Sequence, residues 1–95
     1  MYDVVALGEL LIDFTDAGIS PNGMHLFEQN PGGAPANVLT GLSRMGLKTA
    51  LIGKVGDDLN GRFFESVLKK EKIDTAALIL DKNYFTTLAF VSLSA

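Results

Sequence analysis

The sequence predicts an α/β fold, a parallel sheet whose strands are joined through helices. Three observations predict it. Short, largely apolar runs recur at Val4–Leu7, Thr49–Ile52 and Ala77–Leu80, the pattern of strands buried on both faces. Two stretches with apolar residues three and four apart lie between them and read as helices. Gly8 and Gly53 close the first two runs, so each is short, as strands are and helices are not. Strand and helix alternating in this way call for right-handed crossovers in a parallel sheet.

Val4–Leu7 is the first strand, and Leu10-Leu11-Ile12 with Phe14 read as its continuation past a bend at Gly8-Glu9. From Thr15 to Pro31 the turn signals Gly18, Pro21-Asn22-Gly23 and Asn30-Pro31 enclose two short segments, near Ile19 and at Met24–Phe27. A small β-excursion fits them better than core. Ala34–Met45 reads as a helix: Pro35 suits its first turn, Val38, Leu42 and Met45 share a face, and Gly46 stops it. Thr49–Ile52 is the second strand.

Asp57 or Asp58 caps a second helix, in which Phe63 pairs with Val67 and Phe64 with Leu68. Lys69-Lys70 near its end complements the helix dipole. Ala77–Leu80 is the third strand, and Thr86–Leu93 a fourth, partly alternating one. The sequence stops inside that strand with no turn or polar tail, so a fragment, or one traced part of a longer chain, is expected.

Composition narrows the function classes. The chain has 95 residues, enough for one small domain, and 47% of them are hydrophobic, which excludes disorder. A net charge of −3 without any Lys/Arg run argues against nucleic acid as partner. With no cysteine there is neither a disulfide framework nor a thiolate metal site. Met1-Tyr2-Asp3 is not the start of a basic leader, and no apolar run approaches the roughly 18 residues that span a bilayer. The expectation is a cytoplasmic protein with no membrane partner.

Gly32-Gly33-Ala34-Pro35-Ala36-Asn37 is the most informative stretch. Two glycines before a helix let the backbone approach a ligand, and their N–H groups, with the helix N-terminus behind them, can donate to an oxygen. Asn37 in the first turn both donates and accepts, which suits a sugar hydroxyl better than a phosphate. The plainer alternative is a flexible lead into a helix with Asn37 on the surface. Asp13 stands beyond the first strand, where open α/β sheets bind ligands, and could accept from two vicinal hydroxyls of a polyol. Its plainer alternative is a solvated turn aspartate.

Other motifs lack the spacing or the partners their chemistry needs. Gly53-Lys54 lacks the glycine spacing of a phosphate loop, and Val55 follows the lysine where Ser or Thr is required. Adjacent Asp57 and Asp58 at a helix start already have a capping role, which outweighs a metal pair. His25 is the only histidine, too little for a zinc site without cysteines. No serine stands in a nucleophile-elbow context.

Gly32-Gly33, Asn37, Gly46 and Gly56 fall in one register, with Gly8-Glu9 and Asp13 before them and Gly-x-Val-Gly-x-Asp-x-x-Gly from Gly53 to Gly61. Over nearly the whole chain this resembles the ribokinase-like, or phosphofructokinase-B type, carbohydrate kinases, with fructokinases the closest pattern. Leu39 departs from the small residue usual two positions after the Asn, a packing change on a helix. The resemblance implies a Rossmann-like α/β sheet with a small β-sheet lid, the chain being the N-terminal part of one such domain and the lid segments lying near 15–30 and 86–95. It implies sugar contacts from Asp13, Gly32, Gly33 and Asn37, with Phe90 packing against the substrate from the lid.

The implied reaction is transfer of the γ-phosphoryl group of ATP, with Mg2+, to a primary hydroxyl of a small sugar. Fructose is the first choice; 2-keto-3-deoxygluconate or ribose are the alternatives. In the family a Gly-Ala-Gly-Asp motif far toward the C-terminus supplies the catalytic base, and the nucleotide pocket lies there too. No such motif occurs here. No catalytic residue is therefore expected among these 95, and the chain alone is expected to be inactive. The resemblance also implies a homodimer through the lid. A reading from another class is a non-catalytic sugar-binding or dimerisation module.

Overall fold

A strand of eight residues, Thr49–Gly56, organises the fold seen in a computed structural model, which describes residues 1–91. In chain order the elements are β1 (Val4–Leu7), β2 (Leu11–Ile19), β3 (His25–Gly32), α1 (Ala34–Arg44), β4 (Thr49–Gly56), α2 (Leu59–Lys70), β5 (Ile73–Asp74), β6 (Leu78–Asp81) and β7 (Thr87–Val91). β4 pairs in parallel with β1 along one side, from Val4 opposite Thr49 to Leu7 opposite Ile52. On its other side its start pairs with β5 and its end with β6, both parallel. This is the predicted α/β parallel sheet.

A second, three-stranded sheet has the order β3-β2-β7. β2 runs antiparallel to β3 and parallel to β7. Here the structure departs from the expectation that Leu11–Phe14 extends the first strand. Leu10 turns into the core at the Gly8-Glu9-Leu10 break, and the chain leaves β1 for a different sheet. The excursion is also longer and more regular than two short segments. β2 and β3 pair from Leu11 opposite Gly32 to Asp16 opposite Phe27, then slip register before Ile19 opposite His25. Ser20 closes the turn, accepting from the Gly23 N–H on its carbonyl and from the Met24 N–H on its hydroxyl. Ser92 and Leu93 of the anticipated fourth strand lie outside the described residues.

The core lies between β4 and the two helices. Leu10, Ile12, Leu39, Leu51, Val55, Phe64 and Leu68 are fully buried there. Leu51 and Val55 sit two and six residues into β4, on the same pleat face, and α1 and α2 cover that face. Phe64 and Leu68 meet one turn apart, as the periodicity indicates. α1 uses a different stripe from the one expected: Ala36 and Leu39 face inward, while Val38 and Met45 are 57% and 76% exposed. Leu39, the departure from the family pattern, fills the space where α1 meets the sheet.

Phe64 carries the largest of these buried side chains. Phe64→Ala is expected to cost about 3–5 kcal/mol, transfer plus cavity, because the packed helix and sheet cannot collapse onto the void. Urea unfolding monitored by circular dichroism measures it. A loss under about 1 kcal/mol would mean that this core is not the one that holds the domain.

Candidate functional site

Three backbone segments converge at the C-terminal end of β1: the β1–β2 connection, the end of β3 and the start of α1. Glycine permits each approach. A Cβ on Gly8 would stand 2.4 Å from Pro35 Cγ, in the first turn of α1. On Gly32 it would meet Asp13 Oδ2 at 2.4 Å and Leu11 Cδ1 at 2.6 Å. Gly33 caps α1 with φ 104° and ψ 134°, a region essentially restricted to glycine, and a Cβ there would stand 2.6 Å from the Glu9 carbonyl oxygen.

The Asp13 carboxylate therefore lies directly over Gly32, at the threshold of the α1 N-terminus. Gly33 has no side chain to accept from the first-turn N–H groups, and α1 has no other side-chain cap. Pro35 has no N–H and Asn37 N is taken by Gly33 O, so Ala34 and Ala36 carry the first-turn N–H groups left without a side-chain partner, at the positive end of the helix dipole. Asn37 sits in the same first turn with an exposed side chain, its own N–H donating to Gly33 O at 3.3 Å. Asp13, Gly32 and Gly33 are thus brought together, and Asn37 stands beside them on the helix.

Phe90 is not brought to them. β2 and β7 are in register, with Asp13 opposite Ala89 and Phe14 opposite Phe90. Neighbouring residues of a strand point to opposite faces, so Phe90 shares its face with Phe14 and not with Asp13. It stacks on Phe14 at 5.2 Å and meets Phe27 edge-on at 5.5 Å, and is 66% exposed. Ala89 is the β7 residue on the Asp13 side. Reading β7 as a strand could not reveal this, because the faces are fixed only once its partner on β2 is known.

The glycine-rich stretch after β4 is built around Asp58. Its carboxylate caps α2 by accepting from Gly61 N at 2.7 Å, and it also accepts from Thr86 N at 3.0 Å and Thr86 Oγ1 at 2.7 Å. Asp57 pairs instead with Arg62 at 2.9 Å, so the two carboxylates have separate structural partners. Lys54 lies within β4, bridged to Asp81 at 3.4 Å and set over the Tyr84 ring at 4.6 Å. Among the described residues no three of His, Cys, Asp and Glu gather to hold a metal ion.

Partial burial works against the charge on Asp58, but the hydrogen bonds from Thr86 and Gly61 outweigh it and hold the pKa below the usual carboxylate value. A carboxyl whose pKa is lowered by folding adds stability above its unfolded pKa of about 3.9, and loses it as pH falls through the folded value. Asp58→Asn, which keeps a capping oxygen, is therefore expected to flatten the fall of the thermal midpoint below about pH 4. Thermal melts between neutral and acid pH for the two proteins measure it. Parallel curves would contradict the role given to this carboxylate.

A cleft of about 960 Å³ opens at the other end of β4. Arg44, Lys48, Lys69, Lys70 and Lys72 line it, at the C-terminal ends of α1 and α2. Cations there complement the two helix dipoles, and Arg44 ties the helix ends together through Glu71 at 2.7 Å. These are structural reasons for the cluster, and it lies away from the strand ends where α/β sheets bind ligands.

The family described as pfkB family carbohydrate kinase matches residues 1–95. Probable fructokinase-7 of Arabidopsis thaliana is 48% identical over 92 residues, a span covering 95% of this chain and 27% of that protein. A sugar kinase of Pyrococcus horikoshii solved in complex with ATP superposes with a TM-score of 0.84 at 42% identity, over 96% of this chain and 30% of that one. A fructokinase of Vibrio cholerae O395, solved with fructose, ADP and calcium ion bound, superposes with a TM-score of 0.77 at 31% identity, over 90% and 26%. The chain thus spans somewhat over a quarter of the length of the curated relative it matches.

Proposed function

The chain belongs to the pfkB family of carbohydrate kinases, and from that premise we propose that the protein carrying it is a fructokinase, transferring the γ-phosphoryl group of ATP to a primary hydroxyl of fructose. The residues described here serve the sugar side of that reaction. The observation that carries the reading is the Asp13 carboxylate lying over Gly32 beside an α1 N-terminus that lacks a side-chain cap.

A neutral polyol needs acceptors for its hydroxyl protons and donors for its oxygens, and this arrangement offers both. Asp13 accepts from two vicinal hydroxyls. The first-turn N–H groups after Gly32 and Gly33 donate to a neighbouring oxygen, and Asn37 adds one amide that does either. Holding the hydroxyl in line is most of what phosphoryl transfer asks of a protein. The β3-β2-β7 sheet acts as the lid, closing over the sugar and excluding water, which would otherwise compete as nucleophile. Phe90 serves the lid's other face, where the exposed rings of Phe27 and Phe90 suit pairing with a second lid in a homodimer.

ATP and Mg2+ are assigned to the rest of the family's domain, and this chain by itself is not expected to phosphorylate sugar. The test is a coupled ADP-release assay on the full-length protein with fructose, ribose and 2-keto-3-deoxygluconate. Turnover of fructose is the expected result. Turnover of ribose or 2-keto-3-deoxygluconate in its place would change the substrate, and none with any sugar would favour a non-catalytic binding module.

A further inference from the structure

The start of α2 does more than begin a helix. A cap needs one hydrogen bond, and Asp58 supplies it to Gly61 N. Yet the same carboxylate accepts twice more, from Thr86 N and Thr86 Oγ1. Thr86 is 5% exposed, and its hydroxyl oxygen in turn accepts from Gly56 N at 3.0 Å. Four hydrogen bonds thus join the end of β4, the start of α2 and the residue before β7. The packing leaves no slack. A Cβ on Gly56 would stand 2.4 Å from Asp58 Oδ2, and one on Gly61 would stand 1.9 Å from Gly56 O. At the second residue of α2, Asn60 Oδ1 accepts from Gln29 Nε2 of β3 at 2.7 Å.

The first turn of α2 therefore holds the second sheet at the root of β7 and again on β3. β7 takes its register from that root. With Thr86 fixed, Thr87 falls opposite Leu11 and Ala89 opposite Asp13. A line of fixed positions runs from Asp58 through Thr86 and β7 to Asp13.

We propose that Asp58 and Thr86 are positioning residues for sugar binding: their hydrogen bonds fix the root of β7, and so set where β2 holds the Asp13 carboxylate over Gly32. The proposal rests on the reading of Asp13 as a sugar ligand. Bonds to a carboxylate are charge-assisted and stronger than neutral ones, which suits an anchor about which a lid turns. The neutral amide pair of Gln29 and Asn60 is the weaker tie.

Thr86→Val weakens the anchor without touching the cap: it keeps the shape but removes the hydroxyl, and with it the bond to Asp58 and the one accepted from Gly56 N, while the Thr86 N and Gly61 N bonds to Asp58 stay in place. In the full-length protein it is expected to raise the KM for fructose on the order of tenfold, with the KM for ATP within about twofold, the equivalent of one lost charge-assisted hydrogen bond. Thr86→Ser, which restores the hydroxyl, is expected to return the fructose KM toward wild type. Hydrogen exchange should quicken at the amides of Thr87–Val91 while α2 is unchanged.

An active Thr86→Val protein with an unaltered fructose KM would overturn the proposal. So would equal rises in both KM values, the sign of a merely structural residue. Should that variant not fold, Asp58→Asn keeps the cap, loses the acceptor for Thr86 N, and is judged by the same split. A wild-type protein that phosphorylates no sugar overturns instead the reading on which the proposal rests.

Discussion

Asp13→Asn in the full-length protein is expected to lower kcat/KM for fructose by about 10–10³-fold while leaving the KM for ATP within about twofold. The size follows from the chemistry. A carboxylate that accepts from two vicinal hydroxyls makes two charge-assisted hydrogen bonds, each worth about 1.5–3 kcal/mol. Asparagine keeps the shape and one acceptor, but turns an NH2 toward the second hydroxyl. Asp13 is half-buried on β2 and belongs to no core cluster, so stability should change by no more than about 0.5 kcal/mol. Steady-state kinetics with each substrate varied in turn, beside a thermal melt, separates the two quantities. A variant with wild-type kcat/KM for fructose would reduce Asp13 to a solvated strand residue.

Gly33→Ala is expected to destabilise the fold by about 2–5 kcal/mol and to remove sugar binding with it. Two costs add. The backbone at φ 104° disfavours any L side chain, and the new Cβ would press on the Glu9 carbonyl at 2.6 Å. Relief must move either the start of α1 or the β1–β2 connection, and both frame the site. Gly46 is the internal control. It too has positive φ, at 90°, but nothing stands within 4 Å of its would-be Cβ. Gly46→Ala should therefore show the conformational cost alone, about 1 kcal/mol. Chemical denaturation of the two variants measures the difference, and equal losses would mean that the close approach at Gly33 does not matter.

What the sequence shows of this fold is what is local. Val4–Leu7, the start of α1 at Ala34-Pro35 and the cap of α2 are read from neighbouring residues and appear where expected. The sheet to which a strand belongs is not local. Leu11–Phe14 look like more of β1, yet β2 pairs with β3 and β7, and its polar residues Asp13, Thr15 and Asp16 hide its length. α1 carries two apolar stripes, Val38 with Met45 and Ala36 with Leu39. Helical periodicity permits either, and only the position of the sheet decides that the second is buried.

The site divides along the same line. Gly32, Gly33 and Asn37, proposed as sugar contacts, can be picked out from the sequence because they lie in one short stretch. The resemblance implies Phe90 at the sugar, but the pairing of β7 with β2 turns it to the other face and leaves Ala89 beside Asp13. The tie between Asp58 and Thr86 links residues far apart in sequence. Half of it, the cap, follows from the residues around Asp58; the other half depends on where β7 begins.

The most direct test of the account is a structure of the full-length protein with fructose bound. It predicts two adjacent sugar hydroxyls within about 3 Å of the Asp13 carboxylate, and a sugar oxygen accepting from the backbone at the start of α1. Fructose seated elsewhere, for example in the lysine-lined cleft at the far end of β4, with Asp13 facing only water, would contradict it.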